Sequence, residues 1–352
     1  MVCAGVKSAA VKVGRARLVT VAVAAVLALL LSACGDQRRA DEIIVYTSRA
    51  DHLVKPVFDA YTAETGTRIR FITDNEAALI TRLEAEGAGS PADMLITVDA
   101  GNLWLASDRG LLQSVSDERL ESTVPANLRD PDRQWFGLTV RARTLVYSTE
   151  RVQPEKLSTY EALAGDAWQD RLCLRTSKKV YNQSLVATMI ERLGEAEAEQ
   201  VVRGWIGNLA TDVFANDNAV MEAIVAGQCD VGIVNTYYFG RMLRERPELP
   251  IRLFWANQGD DESGVHVNIS GAGLTRHAPN AEAAQDLLAW MARPTAQRIL
   301  ADGNLEYPVN PEVMPDEQVA AWGSFRPDDL NVEIAGRRQV EAVKLMDRAG
   351  YR

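Results

Sequence analysis

The chain has 352 residues, 47% of them apolar and 24% charged. This balance gives a soluble globular protein with room for two ordinary domains, and it excludes a disordered or membrane-spanning chain. The formal net charge of -10 at pH 7 excludes a bulk field that would hold nucleic acid or anionic lipid headgroups.

The N-terminal segment stands apart from the rest. Lys7, Lys12, Arg15 and Arg17 precede an uncharged apolar run at 18–34, the layout of an export signal. The run is about 17 residues, at the short limit for spanning a bilayer, and it ends in small residues. Leu31, Ser32, Ala33 and Cys34 close it in a pattern that resembles the lipobox of bacterial lipoproteins. That resemblance implies a signal at 1–33, cleavage before Cys34, diacylation of its thiol and a short tether at 34–40. Loss of the four signal cations takes the net charge from -10 to -14. Cys3 leaves with the signal and Cys34 carries the lipid, so Cys173 and Cys229 remain. Two cysteines in an oxidising compartment suggest one disulfide, with two buried free thiols as the alternative.

In chain order, a β-rich apolar strand near 42–47 runs into an amphipathic helix that ends at Gly66. A second strand at 67–74 leads to a helix at 75–91, stopped by Gly and Pro, and residues 91–112 repeat strand, turn and helix. Three such units predict a parallel, doubly wound sheet. Trp135 to Ser148 then alternate over a long extended stretch with no helix between. Beyond it, residues 170–245 rebuild an α/β unit, 251–257 add a strand, and 264–279 form a second extended stretch before a final helical region. Two long extended segments lying side by side, each separating α/β material, describe two α/β lobes joined by two crossing strands. The expected borders are 41–140 with 271–320 for the first lobe and 141–270 with 321–352 for the second. An exported two-lobed α/β protein without a catalytic signature points to a solute-binding protein of a transporter.

In open α/β sheets ligands bind outside the carboxyl ends of the strands. Four strand ends supply Arg49, Asp51, His52, Asp99, Arg175, Thr176, Ser177, Tyr181, Asn182, Asn235, Tyr237 and Tyr238. Asn235 or Thr236 is suited to cap a helix beginning at the tyrosine pair. Neighbours in a strand face opposite ways, but at a helix start both phenols can lean toward one cleft, with Tyr181 as a third. Such oxygens suit a hard, highly charged cation, and coordination lowers the ligand pKa. Calcium and magnesium usually take carboxylate and carbonyl oxygens instead. The bland alternative is a set of amphipathic rings packed under the cleft with their hydroxyls in water.

Residues 171–185 and 227–242, carrying YNQS and NTYY, resemble the ferric-ion-binding proteins of iron ABC transporters. So do the segments 45–49, 91–104, 137–148 and 306–310, and the match runs through nearly all of the mature chain in the expected order. The resemblance implies a periplasmic-binding-protein type II fold and Tyr181, Tyr237 and Tyr238 as the Fe(III) ligands. It matches Asn235 to a residue that touches an accompanying anion. Some members add histidine, or histidine and tyrosine, after the first strand, where this chain has Ala50 and Asp51; His52, one place further on, is a weaker candidate ligand. Others add a glutamate after the third strand, where this chain has Val98 beside Asp99. Members lacking those side chains use a synergistic carbonate-like anion, and this sequence resembles them. Arg141 and Arg143 share one strand face, and a guanidinium grips a planar oxyanion through two parallel hydrogen bonds. Arg143 is the first choice for that anion by the family match, Arg49 the second, and Arg141 and Ser177 complete the candidates.

The resulting expectation is a monomeric, lipid-anchored receptor in the periplasm or on the outer membrane face. It takes up Fe(III) and a synergistic anion between its lobes and passes the metal to an ABC permease, without catalysis and without nucleic acid. A receptor for an oxyanion or small organic acid without metal is the competing reading. An enzyme is disfavoured, since the chain has only His52, His266 and His277 and contains no HExxH, GxSxG or P-loop motif.

Overall fold

The computed structural model of the chain describes Met1 and residues 42–352, so the expected signal, Cys34 and the tether lie outside the described residues. Among the described residues no helix is long and apolar enough to cross a membrane. The folded unit spans Ile43–Arg352.

The first third follows the strand and helix alternation of the sequence: β1 (Glu42–Thr47), α1 (Asp51–Thr65), β2 (Arg68–Thr73), α2 (Glu76–Glu86), β3 (Met94–Val98) and α3 (Ala100–Asp108). Gly66 ends α1 in the left-handed region, φ 77°, where its N–H reaches the Thr62 carbonyl. Asn75 caps α2 by accepting from the Ala78 N–H. The long strand β4 (Phe136–Ser148) is buried along its whole length. After it come β5 (Leu172–Cys173), α4 (Val180–Leu193), α5 (Glu195–Gly207), α6 (Asp217–Val225), β6 (Val231–Asn235), α7 (Thr236–Glu245) and β7 (Ile251–Phe254). The C-terminal part contains β8 (Val267–Leu274), α8 (Ala281–Met291), α9 (Pro294–Asp302), β9 (Tyr307–Pro308) and α10 (Gln339–Arg348).

The strand order is β2-β1-β3-β8-β4-β6-β5, with β7 and β9 added on β4. The expected side-by-side extended segments are β4 and β8, paired antiparallel from Phe136 opposite Ala272 to Ala142 opposite Val267. From Arg143 onward β4 leaves β8 and pairs with β6 and β7. One strand therefore crosses from one half of the sheet to the other. The purely parallel sheet expected from the repeated units is only partly realised: β1 with β3 and β5 with β6 are parallel, but β3, β8, β4 and β6 meet antiparallel. The reason is chain geometry, because β4 and β8 cross between the halves in opposite directions and each brings its partners with it.

Separate apolar cores form on either side of this crossing. One gathers Ile43, Val45, Leu95, Trp135, Phe136 and Leu288; another gathers Leu145, Trp168, Leu185, Trp205 and Leu345, with a third around Val146, Ile224 and Phe239. Cys173 and Cys229 are bridged, with their Cα atoms 5.9 Å apart and a sequence separation of 56. The bond ties the end of β5, from which the chain runs on to Tyr181, to the entry of β6, the strand whose other end leads into the tyrosine pair. Closing a loop of that length restricts the unfolded chain by ~4 kcal/mol on the chain-entropy estimate. Replacing both cysteines by serine is accordingly expected to lower unfolding free energy by about 2–4 kcal/mol, read from the urea midpoint against the oxidised native protein.

Candidate metal-binding site

Tyr237 and Tyr238 are the second and third residues of α7, which starts where β6 ends. A helix places successive side chains about a third of a turn apart, so both rings lie at its leading edge, 4.4 Å between centroids and tilted by 37°. Tyr181 occupies the second position of α4, which also follows a strand end. Its phenol lies near enough to that of Tyr237 for each to shift the other's pKa. The three phenols line a cavity of about 250 Å³ whose opposite wall comes from Arg49, Arg141 and Glu306. A larger cavity, about 600 Å³, lies elsewhere; prolines and aliphatic side chains dominate it, and no charged side chain lines it. It offers a single phenol, Tyr307, and no cluster of hard-oxygen donors, so its size does not make it the better metal site.

Burial raises the Tyr181 phenol to about 12; Arg141 pulls against the rise and Tyr238 adds to it. Burial pushes Tyr237 well above the ordinary phenol value, Tyr181 and Tyr238 push it further, and Arg141 opposes. Without a cation these hydroxyls hold their protons at neutral pH. Positive charge is already arranged around them. Arg141, Arg175 and Lys179 stand 5.4, 5.5 and 5.1 Å from the Tyr181 ring centre. Arg241 stands 5.1 Å from that of Tyr237 and 4.9 Å from that of Tyr238.

The arginine edges carry the second feature. Arg49, 2% exposed, donates through Nη1 to Thr139 Oγ1 at 3.1 Å and to Glu306 Oε2 at 3.0 Å. Its Nε and Nη2, the pair that forms one edge of the fork, are buried and have no acceptor, and neither has Nη2 of Arg141. Buried donors of this kind are nearly always satisfied, and a planar oxyanion is the group that satisfies such an edge. Glu306 stays ionised despite its burial, because Arg49 and Arg141 outweigh the desolvation and hold its carboxyl below the usual range.

The placements of the other sequence-derived candidates differ. Arg143, the first choice for an anion, is kept from the cavity. Its Nε and Nη2 donate to Asn182 Oδ1 at 3.0 and 2.6 Å, and Nη1 donates to Asp217 Oδ2 at 3.0 Å and Asn235 Oδ1 at 3.2 Å. Nη2 also reaches the Ile233 carbonyl. With every donor nitrogen engaged and the side chain 2% exposed, it has nothing to offer a ligand. Arg175 shares Asp217 with it at 3.1 Å. Asn235 does not cap α7 with its side chain; its Nδ2 instead donates to the Tyr237 hydroxyl at 3.3 Å. Arg143 thus reaches the site only through Asn235, as a positioning group. Ser177 and His52 do not line the cavity, and His52 is exposed on the first turn of α1. Asp51 accepts from Thr73, and Thr176 is tied through its N–H to Phe214. Asp99, fully buried, accepts from Ser184 Oγ at 2.8 Å and Asn268 Nδ2 at 2.9 Å, and desolvation raises its pKa.

Four charged lining residues were not among the sequence candidates: Glu76, Lys179, Arg241 and Glu306. Arg241 had a signal, since it follows Tyr238 by three and Tyr237 by four, the spacing of one helical face. Lys179 sits two places before Tyr181. Glu306 had none, because it meets Arg49 across 257 residues of chain. Among the described residues no group of three or more His, Cys, Asp and Glu side chains is placed to hold a metal ion. The phenols are the hard-oxygen donor set in these residues, and with an oxyanion on the free arginine edges they fit a highly charged cation.

The sequence profile of the bacterial extracellular solute-binding proteins matches residues 89–324. Iron uptake protein A2 of Synechocystis sp. is 42% identical over 315 residues, covering 88% of this chain and 90% of that protein. A Trichodesmium protein solved in complex with iron and citrate ligands is similar at TM-score 0.85 and 41% identity, covering 88% of this chain and all of that one. The open form of ferric iron-binding protein A from Mannheimia haemolytica is similar at TM-score 0.82 and 32% identity over 88% of this chain and 99% of that one.

Proposed function

This chain belongs to the bacterial extracellular solute-binding protein family, and from that premise we propose that it is a receptor that captures Fe(III) between two lobes and hands it to an ABC permease. The observation that carries the proposal is the convergence of Tyr181, Tyr237 and Tyr238 on one cavity opposite the unpartnered edges of Arg49 and Arg141. The similarity to iron uptake protein A2 and to the iron and citrate complex supports the same reading.

Charge counting supports an accompanying anion. Four cations, Arg49, Arg141, Lys179 and Arg241, line the cavity against two carboxylates, Glu76 and Glu306, which leaves two positive charges. Three phenolates and Fe(III) cancel one another, so the surplus is neutralised by a divalent oxyanion such as carbonate. The arginine assignment passes from Arg143 to Arg49 and Arg141. Iron docks on the phenols of the second lobe, taken as 141–270 with 321–352. The anion docks on Arg49 of the first lobe, 41–140 with 271–320, and the lobes close about β4 and β8. The separate cores on either side of that crossing support two lobes, while Ala142, Val265, Val267, Ile269 and Val332 pack with the first-lobe core rather than the second. The chain performs no reaction, acts as a monomer, and is tethered through a lipid on Cys34 in the periplasm or on the outer membrane face.

Titrating metal-free protein with ferric nitrilotriacetate in bicarbonate buffer tests this directly. A visible phenolate-to-iron charge-transfer band that saturates at one iron per chain is expected. Oxyanion binding with no such band would replace the proposal with the metal-free anion receptor.

A further inference from the structure

We infer that Arg241 is a positioning residue that clamps Tyr237 and Tyr238 together and ties them to the opposite wall of the cavity, and so sets how fast the metal leaves. The inference rests on the iron-binding reading above. One guanidinium covers both rings, with its carbon 5.1 Å from one centre and 4.9 Å from the other. Consecutive tyrosines have no covalent reason to stay 4.4 Å apart. A planar cation stacked on both ring faces supplies one, because each face of the π-system attracts it.

The same guanidinium makes a second contact. Its Nη1 donates to Asn304 Oδ1 at 3.3 Å. Asn304 begins a short segment between α9 and β9 that arrives from far along the chain and presses on the start of α7. Leu305, next in line, is buried against Tyr237 and holds φ 55°, a left-handed conformation that a leucine adopts only when its surroundings impose it. It sits where α7 has no side chain: a Cβ on Gly240 would stand 2.8 Å from Leu305 Cδ1 and 2.6 Å from the Trp322 ring. Glu306 then reaches Arg49 at 3.0 Å. Three consecutive residues thus connect the tyrosine helix to the anion arginine, and Arg241 is the polar end of that connection. Arg241 itself is exposed and can be replaced without opening the core.

Metal leaves when the two phenolates separate, and a cation held over both rings opposes their separation. Its removal is expected to speed release while the ligands remain. The test follows the visible band of the iron-loaded protein after EDTA is added, for the native chain, Arg241→Gln, Arg241→Lys and Asn304→Ala. For Arg241→Gln release is expected about ten-fold faster, with the band shifted, the size of one stacked cation lost. Arg241→Lys keeps the charge but not the planar fork, so its release is faster than native by a smaller factor than that of Arg241→Gln while its band shifts. Asn304→Ala speeds release by a smaller factor and leaves the band in place. Native rate and native band in Arg241→Gln, with an unchanged thermal midpoint, would overturn the inference alone. Native protein that forms no band would overturn this inference and the iron reading together.

Discussion

Tyr237→Phe combined with Tyr238→Phe is expected to eliminate the visible iron band and to weaken ferric binding by more than ~1000-fold, since even outer-shell partners of metal ligands cost 10–100-fold. The substitution removes two oxygens and leaves both rings. Packing of Tyr237 with Leu305 and Val319, and the ring contact of the pair, depend on carbon atoms that phenylalanine retains. The lost hydrogen bond from Asn235 to the Tyr237 hydroxyl costs about 1 kcal/mol, so the thermal midpoint moves little. The variant therefore separates ligand chemistry from folding. Isothermal titration with ferric nitrilotriacetate and the visible spectrum, taken on the same samples, check it. Retention of the full band at native affinity, more than the remaining Tyr181 phenolate could give, would mean that the metal uses other oxygens, and the site proposed here would be wrong.

The legibility of the fold and of the site differed for a physical reason. Periodicity along the chain is local, so β1 through α3, the fully buried β4 and the glycine stop of α1 could be read from consecutive residues. The gathering of Tyr181, Tyr237 and Tyr238 at one cavity was legible too, because strand ends in an α/β sheet face the ligand and each strand end is a local feature. Pairing direction was not, since nothing within residues 136–148 says that their partner at 267–274 runs the other way. The anion side failed for the same reason. Arg141 and Arg143 share a strand face, and only tertiary contacts separate them. Asp217 and Asn182 arrive from α6 and α4 to consume Arg143, while Arg141 keeps a free nitrogen at the cavity. Choosing between them required knowing which acceptors lie within 3 Å, and that is information about distant chain.

Affinity for Fe(III) is expected to fall steeply with acid, with log K rising by at least two per pH unit. The sign follows from which state holds protons. In the metal-free chain burial raises the Tyr181 phenol to about 12 and pushes Tyr237 well above the ordinary phenol value, so both hold their protons at neutral pH. Phenolate is the form that binds the metal, so each bound iron releases these protons. Across pH 6 to 8, well below both values, every proton released contributes a ten-fold change per pH unit, roughly 100-fold for two. Competition against a chelator of known pH dependence, at constant anion concentration, measures it. The Tyr181→Phe chain is expected to lose one from the slope, a change that a purely structural role for that ring would not produce. A native slope near zero would mean that no phenol proton leaves on binding, and the ligands would have to be sought among groups already ionised at neutral pH, with Glu306 and Glu76 the nearest in the cavity wall.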